Sequence, residues 1–273
     1  MTVPASQVPS RRRAHWRVLA TVGLVALAMA GCQKRGRGDI TGSVPGPQQA
    51  TPEAWRRQAD LWAPRFEANP GDATAALQYA RALRMTDQKP QAVAVLQQAA
   101  IRSPSNPEIL AAYGKALSDV GRYKEASEAL GRAHSPERPD WRVLTAQGAV
   151  ADQTGDHALA QQYYESATKL APDEPSVLSN LGLSYALSKR IPDAERVSRE
   201  AAAHARADGR VRQNLALVLI IAGKPADAET VLRQDMSAED ATAMIADLKL
   251  VAAQPSGLGG GRKADGKAKP AGA

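Results

Sequence analysis

A 34-residue period runs from Ala73 to Asp240 and fixes what this chain can fold into. A small residue recurs at Ala80, Gly114, Gly148, Gly182 and Ala216. An alanine follows each by twelve residues, at Ala92, Ala126, Ala160, Ala194 and Ala228. Two amphipathic segments surround these marks in every repeat. Ala76, Tyr79, Ala80 and Leu83 share one helical face, and Ala92, Leu96 and Ala99 share another. Glycine between the segments (Gly121, Gly155, Gly223) and proline after the second one (Pro104, Pro172) suit helix ends. A fixed period of this size predicts an all-α solenoid of five helix-turn-helix repeats. The small residues fall where two helices cross, and a larger side chain there would overpack the joint at about 1–3 kcal/mol.

The pattern resembles the tetratricopeptide repeat, W-x2-L-G-x2-Y followed by A-x3-F and a late proline. Leu144, Gly148, Ala160, Tyr164, Ala167 and Pro172 carry it in the third repeat. Leu178, Leu181, Gly182, Tyr185, Ala194 and Ala201 carry it in the fourth. Ser198 stands where that family has a large residue, which predicts a looser joint. Asp235 takes a small-residue position, so regularity should end there. The five repeats occupy 73–240. An N-terminal half-repeat over 51–72 caps them, opened by Thr51-Pro52-Glu53 and kinked or interrupted at Pro64. A capping helix over 241–253, with Met244, Ile245, Leu248 and Val251 on one face, closes the other end after a weak capping box at Ser237 and Asp240.

The N-terminus reads as an address. Met1 to Arg17 is polar and basic, Val18 to Met29 is apolar, and Ala30-Gly31-Cys32 follows. This is the layout of a secretory signal over 1–31, and a dozen apolar residues fall short of the ~20 that span a bilayer. Met29-Ala30-Gly31-Cys32 resembles the bacterial lipoprotein box, with Met29 departing from the usual leucine. That resemblance implies cleavage between Gly31 and Cys32 and acylation of the Cys32 thiol. Gln33, in place of the aspartate that retains such proteins at the inner membrane, implies an outer-membrane anchor facing the periplasm. Several acyl chains would make it permanent. Residues 32–50, rich in Gly and Pro, read as a flexible linker. The 254–273 tail, rich in Gly, Lys, Ala and Pro, reads as disordered and basic.

Charge narrows the function further. The formal charge of +7 comes from the two ends: residues 1–31 hold four arginines and no acid, and residues 255–273 hold four basic groups against Asp265. The rest is balanced, which argues against a phosphate-binding groove for nucleic acid. Gly261 to Ala268 nearly spells a phosphate-binding loop, but Ala268 replaces the hydroxyl residue and no strand precedes it. His15, His134, His157 and His204 are not at ligand or triad spacing, and the last three are expected as surface helix or turn residues. No catalytic residue, metal site, cofactor or small-molecule substrate is predicted, and the chain is not expected to be an enzyme.

By resemblance to the tetratricopeptide family, the first helix of each hairpin builds a concave wall that binds partners. On that wall the resemblance places Arg81, Arg84, Lys115, Thr145, Ala149 and Asp152 in the first three repeats. Asn180, Leu183, Leu187, Asn214, Leu217 and Ile221 follow in the last two. Asn180 and Asn214 lie one repeat apart, and an amide both donates and accepts, as main-chain recognition requires. The leucines and Ile221 either form an apolar strip beside them or pack between repeats. Tyr163, Tyr164 and Tyr185 are expected in the core. The lipobox, the linker segment Asp39-Ile-Thr-Gly-Ser-Val44 and the five repeats together resemble TadD-type lipoproteins of Tad/Flp pilus assembly. That family implies an outer-membrane scaffold for envelope proteins or peptides, assisting assembly of the pilus secretin. The alternative is a general envelope scaffold for cell-wall enzymes or outer-membrane protein assembly.

Overall fold

The computed structural model describes residues 51–253. The segments 1–31, 32–50 and 254–273, with Cys32, lie outside them. Twelve helices form among the described residues, and no strand; the one isolated bridge joins Ser135 and Arg138. Ten helices pair into five hairpins. They are α2 (Ala73–Met85) with α3 (Lys89–Arg102), α4 (Pro107–Asp119) with α5 (Tyr123–Gly131), and α6 (Trp141–Thr154) with α7 (His157–Leu170). Then come α8 (Pro175–Leu187) with α9 (Ile191–Ala203) and α10 (Gly209–Ile221) with α11 (Pro225–Leu232). Helices α1 (Pro52–Ala68) and α12 (Ala238–Ala253) close the ends.

Local chemistry sets each boundary, and it repeats at 34 residues. Position 72 is Asp72, whose side chain accepts the Ala75 N–H at 3.1 Å. Asn106, Asp140 and Asp208 cap α4, α6 and α10 in the same way. At the fourth such position Glu174 makes no cap bond and instead accepts the Ser176 hydroxyl at 2.9 Å. The turn inside each hairpin is a Schellman motif: the N–H groups of Gln88, Arg122, Asp156, Arg190 and Lys224 each reach back five residues to a helix carbonyl, at 2.8–2.9 Å. The residue before each of them is left-handed. Gly121, Gly155 and Gly223 fill three of those positions, but Asp87 (φ 61°) and Lys189 (φ 63°) fill the other two.

The crossing positions are buried as the spacing requires. Ala92, Ala126, Ala160, Ala194 and Ala228 are wholly inaccessible. A Cβ at Gly114 would meet Leu130 Cγ at 2.6 Å, and one at Gly148 would meet the Tyr164 ring at 2.7 Å. The expectation of a loose joint at Ser198 is corrected here. A Cβ at Gly182 would lie well inside contact distance of Ser198 Oγ, so the smaller residue lets the helices close up rather than leaving a gap. Of the kink or interruption expected at Pro64, the interruption does not occur: helix α1 continues through it to Ala68. Its Phe66 ring sits 6.1 Å from that of Tyr79, which ties α1 onto the first hairpin. Past α11, Asp235 accepts from Arg212 Nε at 2.5 Å and Nη2 at 2.6 Å. An ion pair thus ends the regular stack before α12 begins at the Ser237 cap.

Candidate binding groove

Successive first helices touch one another: α2 packs on α4, α4 on α6, α6 on α8 and α8 on α10. Among the described residues no second helix packs on the second helix of the next repeat. The first helices therefore crowd along one wall while the second helices splay, which makes that wall the concave one.

Two hollows run along it, of about 770 and 600 Å³, and they share Arg84, Lys115, Asp119 and Arg142 in their linings. The first spans α2, α4 and the start of α6, between Leu77 and Val143. The second continues past Thr145 and Ala149 to Asn180 and Arg210. A recess of about 140 Å³ follows, walled by Ala149, Asn180, Leu183 and Leu187. The hollows meet end to end through shared residues, so they form one groove from repeat one to repeat four, touching Arg210 at the start of the fifth.

The structure gathers part of the expected wall into this groove. Arg81, Arg84 and Lys115 line the front, Thr145, Ala149 and Asn180 the middle, and Leu183 and Leu187 the rear recess. Asn180 makes no side-chain hydrogen bond among the described residues. Asn214 is not its equivalent: its amide donates to Ser179 Oγ at 2.9 Å and is spent joining the last two repeats. Leu217 is buried and Ile221 packs on a core cluster, so neither belongs to an open strip.

Asp152 reaches the rear recess but is committed to the joint behind it. Its Oδ1 accepts the Ser184 hydroxyl at 2.8 Å and lies 2.8 Å from His157 Nδ1. Burial pushes the Asp152 carboxyl above its usual range, against the opposing pull of hydrogen bonds from His157, Ser184 and Tyr164. Burial and then the Asp152 charge push the Tyr164 phenol up strongly. Two histidines expected at the surface are thus structural. His157 holds Asp152, and His134 Nε2 donates to Gln147 Oε1 at 2.9 Å while its Nδ1 is buried without a partner. Tyr164 and Tyr185 are core residues, and Tyr163 is half-buried against Leu144.

Sequence reasoning missed Arg142 and Arg210. Arg142 stands at the second position of α6, its guanidinium 4.5 Å over the Trp141 ring. Arg210 stands at the second position of α10, 3.7 Å from Asp208. The cap residues at the 34-residue period would have revealed them, because each lies two residues after its cap. No group of three or more potential metal ligands occurs among the described residues, and none of their helices is long and apolar enough to cross a membrane.

Comparison with known proteins agrees with this geometry. Two tetratricopeptide-repeat family models match, over residues 90–149 and 142–174. Among curated proteins the chain is 25% identical over 128 residues to the BBSome complex member BBS4 of Bos taurus, covering 47% of this chain and 25% of that one. It is 34% identical over 103 residues to a TPR repeat-containing protein of Dictyostelium discoideum, covering 34% and 38%. The chain thus spans well under half the length of these relatives. Solved structures of similar fold include PilW, a type IV pilus biogenesis factor, with TM-score 0.60, 16% identity and coverage of 70% and 91%. Pseudomonas aeruginosa pilF follows with TM-score 0.52, 19% identity and coverage of 73% and 96%. At such identities the likeness is one of fold. The described residues form an all-α, tetratricopeptide-repeat-like solenoid of five hairpins between two capping helices. Repeats of this class act as protein-interaction scaffolds, and the matched models are those of a repeat rather than of an enzyme.

Proposed function

We propose that this solenoid is a lipid-anchored scaffold of the outer membrane that binds partner proteins in its groove and assists assembly of a Tad/Flp pilus secretin. The observation that carries the binding role is the groove itself: a continuous hollow over four repeats, whose walls include polar side chains without a partner among the described residues, Lys115 and Asn180. A surface with both apolar lining and unspent polar groups is what an extended segment of another protein needs. The Cys32 lipobox supports the anchor, and the fold shared with PilW and pilF is in keeping with a pilus role.

Three experiments test the reading. Cys32→Ala should abolish palmitate labelling, and unchanged labelling removes the anchor. A photo-crosslinking amino acid in place of Asn180, used in whole cells, should trap an envelope protein through the groove. Secretin in the crosslink supports the pilus assignment, whereas a cell-wall enzyme would transfer the scaffold to other machinery. Normal secretin multimers and normal piliation in a deletion strain would sink the pilus role outright.

A further inference from the structure

The groove's charge is uneven in a way that its neutral surroundings are not. Its two main hollows are lined by five cations, Arg81, Arg84, Lys115, Arg142 and Arg210, against three carboxylates. Two of those carboxylates are already engaged. Asp119 binds the Arg84 guanidinium at 2.5 Å, and Asp140 accepts the Arg142 backbone N–H at 2.7 Å as the cap of α6. Glu108 is exposed in the first turn of α4.

Lys115 forms no ion pair or hydrogen bond among the described residues, although it is half-buried. Burial, then the Arg84 and Arg142 charges, push its ammonium below the usual range, opposed by Asp140. Arg81 and Arg142 rest on the Trp55 and Trp141 rings rather than on acids. Elsewhere, at the starts of the second helices and on α9, Arg122, Arg190, Arg199 and Lys224 each hold a carboxylate at 2.5–2.9 Å. In the groove, Arg84 is paired with Asp119 and Arg210 lies near Asp208, which leaves Arg81, Lys115 and Arg142 without a carboxylate partner among the described residues.

We propose that this front stretch of the groove holds an extended, carboxylate-bearing segment of the partner protein. The proposal rests on the groove being a protein-binding surface. Carboxylates would supply the counter-charge that Lys115, Arg81 and Arg142 lack, while Leu77, Ala111 and Ala112 between them take apolar side chains. Spacing sharpens the expectation. Packed helices lie about 8–10 Å apart, and a polyproline-II chain repeats its face every three residues, at about 9 Å. An acid at every third position would therefore meet one first helix after another. A single-stranded nucleic acid fits less well, because Glu108, Asp119 and Asp140 in the same lining oppose a continuous phosphate backbone.

The test is fluorescence anisotropy on the full chain in detergent. The probes are a labelled twelve-residue peptide with Glu at every third position, the same peptide with Gln, and a labelled oligoadenylate of equal length. The Glu peptide should bind about tenfold more tightly than the Gln peptide and weaken as salt rises. Lys115→Glu combined with Arg142→Glu should remove that preference, while Lys169→Glu on α7 should not. If charge reversal lowers the melting temperature, Lys115→Gln with Arg142→Gln serves instead and should still reduce the preference. Equal binding of Glu and Gln peptides, no binding of either, indifference to the groove substitutions, or tighter binding of oligoadenylate would each overturn the proposal. Failure here with a protein still crosslinked at position 180 would leave the scaffold standing and remove only the acidic ligand. Loss of the crosslink would remove the scaffold itself.

Discussion

The front and rear of the solenoid are joined by different chemistry. Between repeats one and two the contact is apolar, with Leu83, Leu96, Ile109, Leu110 and Leu117 all but inaccessible. Between repeats three and four a buried carboxylate, Asp152, gathers Ser184, His157 and Tyr164. Gln161 beside it donates to Ser188 Oγ at 3.0 Å. Between repeats four and five, Asn214 bonds Ser179. The rear half spends its polar groups inward, so its inner wall has few left. The front half builds its joints from leucine and alanine, so Arg81, Lys115 and Arg142 remain for the groove. The same 34-residue frame thus supports two kinds of joint, and the choice decides where a ligand can be held.

The apolar joint should be the more sensitive to truncation. Leu117→Ala removes three heavy atoms from a site with no accessible surface and should cost about 2–5 kcal/mol. In a solenoid the loss stays with its neighbours, so hydrogen exchange should quicken in α4 and α5 first. Uniform acceleration through α10 would show that the joints are not independent.

The polar joint should fail differently. Asp152→Ala leaves Ser184, Tyr164 and His157 without their acceptor, and unsatisfied buried groups cost roughly 1–3 kcal/mol each before relaxation. Asp152→Asn keeps the shape and should cost less, but it should change the pH dependence. The folded carboxyl has its pKa raised above the ordinary 3.8, so the folded state binds its proton more tightly than the unfolded one. Stability from this group is therefore greatest below that ordinary value and is lost as pH rises through the raised one. Melting temperature of the native chain minus that of Asp152→Asn should fall with rising pH across this window. A flat difference would mean that burial does not govern this carboxyl.

Ser198 inverts the argument. Its hydroxyl is buried between α8 and α9 with no partner, pressed against Gly182. Removing a polar atom here should stabilise: Ser198→Ala is expected to gain about 1 kcal/mol in urea unfolding. A loss would reveal a bond from Ser198 that the geometry does not show.

These contrasts explain what the amino-acid sequence disclosed. The fold was legible because crossing positions tolerate only Gly or Ala, and that constraint recurs every 34 residues. The inner wall was legible in outline from the same frame. Which of its residues stay open was not: Asn180 and Asn214 occupy one register with a hydroxyl residue 35 positions before each, yet Ser179 accepts from Asn214 whereas Thr145 turns its hydroxyl to the Trp141 carbonyl. Asp152 was assigned to the wall by register, and its capture by Ser184, 32 residues on, lies beyond any single repeat. Ser198 was read by size alone, whereas helix approach adjusts to size.

The smallest expected effect tests the frame itself. Positions 87, 121, 155, 189 and 223 all carry positive φ, yet only three are glycine. A left-handed non-glycine residue costs about 1–2 kcal/mol, and glycine returns part of that through its looser unfolded chain, roughly 0.5–1 kcal/mol. Lys189→Gly should therefore stabilise by about 0.5 kcal/mol, and Asp87→Gly by less, since a short polar side chain tolerates this region better. Gly155→Ala should go the other way by about 1 kcal/mol, with nothing near its Cβ to blame but the backbone. Opposite signs at 189 and 155 would establish that one turn geometry serves all five hairpins. A loss at both would mean that the Lys189 side chain contributes to the α8–α9 turn something that the left-handed backbone alone does not explain.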